Sequence, residues 1–215
     1  GGGEGEGEAV ARPGDARAVG EGDAGRKVRR GGHRRRQRVL AAELGTEYRV
    51  VEEGLNGRTT NLDDIIETNR NGLAYLRPCL ESQAPIDLIT IMLGTNDLKE
   101  RFHRNPGDIA QSAAILCDIA RNMPVGPDDG HPVVLLMAPP VVVTMGDLNS
   151  IFSGAIKKSQ QFSTEYGAWA ARYGIPFLDT SEHIVSSPID GIHIDPPQHT
   201  ILGKVVAHKI RSLLD

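Results

Sequence analysis

Between Asp87 and Gly94 the chain runs Leu-Ile-Thr-Ile-Met-Leu, with no charged side chain and no alternation of polar with apolar residues. A strand with one wet face repeats with period two, so an unbroken run of this kind is expected to be covered on both faces. The flanking chain offers the covers. Val39, Leu40 and Leu44 share one face of a short helix that Gly45 would end. Asn105 and Pro106 read as the N-cap and first residue of a helix reaching Met123. Residues 157–173 and 196–214 read as two more helices. Residues 47–54, 131–140 and 175–180 read as further strands. Strands alternating with helices predict an α/β layer fold with a mostly parallel sheet.

Composition breaks at about residue 36. Residues 1–36 hold 11 of the 25 glycines and 9 of the 24 Lys and Arg, and contain no Ser, Thr, Leu, Ile or aromatic residue. They carry a net +3, which leaves −7 for the rest of a chain whose total is −4. So few large apolar groups cannot offset the ordering entropy of the backbone, and disorder is expected there. Residues 37–215 are expected to be one domain. No long apolar run suggests a membrane span, and no apolar leader opens the chain; a cytoplasmic location is the expectation. Cys79 and Cys117 lie in stretches that read as helical and apolar, without metal-ligand spacing, and read as buried thiols. The tract at 26–36 is basic but has no aromatic residue to stack on bases, and with an acidic remainder it argues against nucleic acid as a partner.

Chemistry concentrates just beyond the expected strands, where a parallel sheet opens its ligand crevice. One segment is Leu-Gly-Thr-Asn-Asp at 93–97, another Asp-Gly-Ile-His at 190–193, and a third runs from Glu52 through Gly57 to Asp64. Each alone reads as a turn or a surface pair. Together, with the intervening Arg-Thr-Thr at 58–60 and Ala-Pro-Pro at 138–140, they resemble the SGNH (GDSL-like) hydrolases, and within them the bacterial arylesterase and acyltransferase group. The resemblance covers residues 37–215. It implies a flavodoxin-like three-layer αβα sandwich and action on small carboxylic esters, with no metal or cofactor. His193 would be the general base and Asp190 the group that orients it. Asn96 and Gly57 would donate to the oxyanion, and Gly94 and Asp97 would support the loop. Members of this group associate, so a homo-oligomer is expected. The loop at 139–156, with Met145, Leu148, Ile151 and Phe152, is a candidate wall for an acyl pocket or a subunit contact.

The family nucleophile is the serine of a Gly-Asp-Ser-Leu block after the first strand, and here the first serine in the chain is Ser82. The nearest string is Gly14-Asp15-Ala16-Arg17, with no apolar strand before it. Thr59 and Thr60 read as loop hydroxyls, not substitute nucleophiles. By this reading the first strand is lost, leaving a gap of roughly 9–10 Å in the sheet. Residues 1–36 are then either disordered or a mistranslation of the missing block. The protein as written would be inactive, with a ligand-binding pseudoenzyme as the alternative.

Overall fold

A computed structural model describes residues 8–10, 17–21, 32–144 and 146–214. Its strands are β1 (Glu8–Val10), β2 (Arg17–Glu21), β3 (Arg49–Glu52), β4 (Leu88–Ile91), β5 (Val133–Ala138) and β6 (Phe177–Asp179). Its helices are α1 (Gly32–Leu44), α2 (Gly72–Gln83), α3 (Pro106–Arg121), α4 (Ala155–Ser159), α5 (Phe162–Tyr173) and α6 (Pro196–Leu214). Strands β2 to β6 are parallel in the order β3-β2-β4-β5-β6, and β1 runs antiparallel. Setting β1 aside, this is the flavodoxin-like order, in which the first long-range strand lies inside the sheet.

All four residues of β4 are buried, as the uninterrupted run requires. On one face α1 packs against α6; on the other α3 packs against α5 and the central strands. Leu40, Leu80, Leu88, Ile109, Leu135 and Ile210 are fully excluded from solvent in the core between these layers. Local signals set the helix ends as the residues suggest. Asn105 accepts a hydrogen bond from the Asp108 backbone N–H at 2.8 Å, and Gly45 takes φ +91° just past α1. Cys79 in α2 and Cys117 in α3 are buried and form no disulfide.

Three expectations change. The first strand is present: β2 pairs in parallel with β4 over Ala18↔Leu88 to Glu21↔Ile91 and with β3 at Arg17↔Arg49. A slot between two strands offers hydrogen bonds to any backbone, and this outweighs the weak strand propensity of Arg-Ala-Val-Gly-Glu. The helix expected over 157–173 is two, because the Ser159 hydroxyl accepts the Val142 N–H and donates to the Ile156 carbonyl where the chain bends. Helix α2 is the helical stretch expected around Cys79, for which the sequence set no bounds. Its register is hidden by Pro78 inside it, and Asn71 caps it by accepting from the Ala74 N–H. The disorder expected over 1–36 also changes: Glu8–Val10 form β1 and Gly32–Arg36 begin α1, and the rest of that segment besides β2 lies outside the described residues.

Val19 sits opposite Ile89 with strands on both sides. Val19→Pro removes a ladder donor there, so a loss of about 3 kcal/mol in urea unfolding is expected. A change within about 0.5 kcal/mol would show that β2 is not part of the sheet.

Candidate active site

Beyond β6 the chain folds into a tight hairpin at 187–193. The Asp190 carboxylate accepts the backbone N–H groups of Ile192 and His193 on one oxygen, at 3.1 and 2.9 Å. Its other oxygen is 2.9 Å from His193 Nδ1. With Asp190 ionised, Nδ1 carries the proton and Nε2 is the basic nitrogen. Burial alone would raise the Asp190 pKa. The His193 N–H, the imidazole's charge and the Ile192 N–H outweigh it and hold the carboxyl below its ordinary value. Gly191 takes φ +79° between the two residues, which lets the carboxylate reach both the ring and the backbone of His193.

The other half lies beyond β3 and β4. Asn96 opens a 3₁₀ turn, Asn96–Leu98, and is 1% exposed. One N–H of its amide goes to the Arg58 carbonyl at 3.1 Å, which leaves the second for a substrate oxygen. Gly57, the residue before Arg58, is buried at φ +81°, and a Cβ there would overlap the Glu67 carboxylate. Asp97, wholly buried, accepts the Thr60 N–H at 3.0 Å and the Thr60 hydroxyl at 2.5 Å. The loops bearing the two expected oxyanion donors are therefore tied at adjacent points. The Thr59 hydroxyl donates to the Leu62 carbonyl at 2.6 Å, so both threonines are engaged in the loop.

The halves meet through α4. It packs on the Asn96–Leu98 turn, Ser159 receives the Val142 N–H, and the Val143 N–H donates to the Gly191 carbonyl at 2.8 Å. Of the loop expected to wall an acyl pocket, Phe152 is buried in the core, Leu148 packs partly against it and Ile151 is 41% exposed; Met145 lies outside the described residues. Gly94 takes φ +128°, with Tyr166 and Ile109 filling the space a Cβ would need. Among the described residues no group of three His, Cys, Asp or Glu gathers as a metal would require, and no helix is long and apolar enough to cross a membrane.

Two features escape the sequence motifs. One is a charge cluster under the Gly57 loop. Asp64 is paired with Lys99 and Arg101, Lys99 also meets Glu67 at 3.1 Å, and both Lys99 and Asp64 are 2% exposed. The charges are visible in the sequence, but nothing local shows that residues 64 and 99 meet. The other is register at the N-terminus. Gly14-Asp15-Ala16 comes before β2, whereas a second string, Gly22-Asp23-Ala24, follows Glu21 directly. Neither string is among the described residues. A nucleophile block belongs after the strand, and only the position of β2 tells the two strings apart.

Burial would raise the Asp64 pKa, but the Arg101 guanidinium, the N–H groups of Ile66 and Glu67 and the charge of Lys99 bring it down to about 2. A depressed carboxyl contributes stability above its unfolded value near 3.8 that is lost as pH falls toward 2. This amounts to about 2 kcal/mol. Asp64→Asn is expected to cost about 2 kcal/mol at pH 7 by removing the buried carboxylate that Lys99 and Arg101 share, and to flatten the stability profile between pH 4 and 2. Thermal melts of both proteins across that range check it.

Residues 14–199 match the model of the GDSL-like lipase/acylhydrolase family. The fold superposes on the inhibitor-bound aryl esterase of M. smegmatis with a TM-score of 0.85 at 34% identity, covering 92% of this chain and 100% of that one. It superposes equally on a carbohydrate acetylesterase from Sinorhizobium meliloti, with a TM-score of 0.85, 34% identity, and coverage of 92% and 99%. No functionally curated protein matches the sequence. With its parallel sheet, its Asp-His hairpin and its two hydrogen-bonded loops, the chain belongs to the GDSL-like lipase/acylhydrolase family.

Proposed function

We propose that this site is built for Ser-His-Asp hydrolysis or acyl transfer of small carboxylic esters, and that it is inactive as written because the nucleophilic serine is absent. The observations that carry this reading are the Asp190–His193 hydrogen bond of 2.9 Å and the Asn96 amide anchored at 3.1 Å on the Arg58 carbonyl. His193 Nε2 would take the proton of an attacking hydroxyl and return it to the leaving alkoxide, while Asp190 stabilises the imidazolium. Asn96 and the Gly57 N–H would receive the oxyanion. Relatives named aryl esterase and carbohydrate acetylesterase support small carboxylic esters as the class.

Glu21 ends β2 level with Ile91, and three residues of chain span at most about 11 Å. In sequence Ala24 stands three residues after β2, as the serine of the family's Gly-Asp-Ser-Leu block follows the first strand. The same reading takes the protein as a homo-oligomer, supported by Ile65, Ile66 and Ile189 at 88%, 70% and 77% exposure. It takes the location as cytoplasmic, supported by two buried cysteines that form no disulfide. Ala24 also favours a second reading, a ligand-binding protein without turnover.

The test is Ala24→Ser, assayed with a short aryl acetate in the presence and absence of an alcohol acceptor. The unaltered chain is expected to show no turnover, and Ala24→Ser to gain activity that His193→Ala abolishes. In the serine background Asn96→Ala should lower kcat about 10² to 10³-fold and leave KM nearly unchanged, because the donor acts on charge that develops only in the transition state. A folded Ala24→Ser protein that binds aryl acetate without cleaving it supports the second reading. Turnover by the unaltered chain that persists in His193→Ala would place the chemistry elsewhere.

A further inference from the structure

Tyr166 is fully buried on α5 and has no part in the proposed chemistry. Its ring stands edge-on to Phe162 at 5.2 Å. Its hydroxyl donates to the Leu93 carbonyl at 2.5 Å, across 73 residues of sequence. A phenylalanine would fill the same space, and a buried hydroxyl is costly unless bonded, so the oxygen answers to the carbonyl it meets.

That carbonyl lies beyond the last ladder residue of β4, Ile91. The next residue, Gly94, turns the chain at φ +128° with Tyr166 against its Cα, and Asn96 follows two residues later. Among the described residues the turn's own backbone bonds are Leu98 N–H to Thr95 and Lys99 N–H to Asn96, both 3.2 Å. We infer that Tyr166 is a positioning residue that holds the Leu93–Asp97 turn and so fixes the aim of the Asn96 amide. Its catalytic consequence rests on the esterase reading; its effect on the turn does not. Burial, reinforced by the nearby charge of Asp97, keeps the hydroxyl protonated far above neutral pH, so it stays a donor.

The experiment compares Tyr166→Phe with the unaltered chain by amide hydrogen exchange and then, in the Ala24→Ser background, by kinetics. Exchange at Leu98 and Lys99 is expected to speed up at least tenfold in Tyr166→Phe, with amides of α6 unchanged. In the serine background kcat should fall about tenfold with KM constant, and a simple packing defect would not split the two in this way. Unchanged exchange at Leu98 and Lys99 overturns the inference whether or not Ala24→Ser is active. An inactive Ala24→Ser protein whose Leu98 and Lys99 amides still respond to Tyr166→Phe overturns the esterase reading and leaves the clamp standing.

Discussion

One buried carboxylate joins the two loops on which the site depends. Asp97 is cut off from solvent and accepts both the backbone N–H and the hydroxyl of Thr60, 37 residues earlier in the chain. Burial pushes its pKa up; the two Thr60 bonds and the charge of Arg104 act against that. A carboxylate placed so deep is tolerated because its donors are already in position. As a result Asn96, next in sequence to Asp97, and Gly57, three residues before Thr60, are held at one place before any ligand arrives. Donors that need not reorganise as charge develops are worth more than mobile ones.

Further charge is buried beneath the same loop. Asp64, Lys99, Arg101 and Glu67 bridge the 57–71 segment to the residues just after the Asn96 turn. An ion pair taken out of water contributes little net stability, yet breaking one is expensive, so such a cluster specifies geometry more than it strengthens the fold. Here the specified geometry is the spacing between the two donor loops. The Asp190–His193 pair works differently. It is held within the four residues 190–193 by bonds to its own backbone and needs the rest of the protein only for its placement.

The centre of the sheet shows how little side-chain information a strand needs when its neighbours already exist. Arg17–Glu21 has a poor composition for a strand, yet it fills the position between β3 and β4. Pairing there satisfies backbone groups that would otherwise be buried without partners. The position of the strand also gives Gly22-Asp23-Ala24 a meaning that its letters alone do not carry.

The sequence by itself determined the layer architecture, through the unbroken apolar run of β4 and the spacing of Val39, Leu40 and Leu44 or of Asn105 and Pro106 around the helices. It also identified the family and singled out Gly57, Gly94, Asn96, Asp97, Asp190 and His193 as candidates, because these motifs are contiguous and each lies beyond a strand. Asp190 and His193 are three residues apart, so their contact is local. Tertiary structure alone decided that Thr60 bonds Asp97, that Lys99 meets Asp64, that Tyr166 holds Leu93 and that β2 occupies the central gap. The physical reason is separation along the chain. Local propensity and periodicity act over a few residues, whereas these contacts join residues 35 to 73 apart, or depend on hydrogen bonds offered by neighbouring strands that no local pattern encodes.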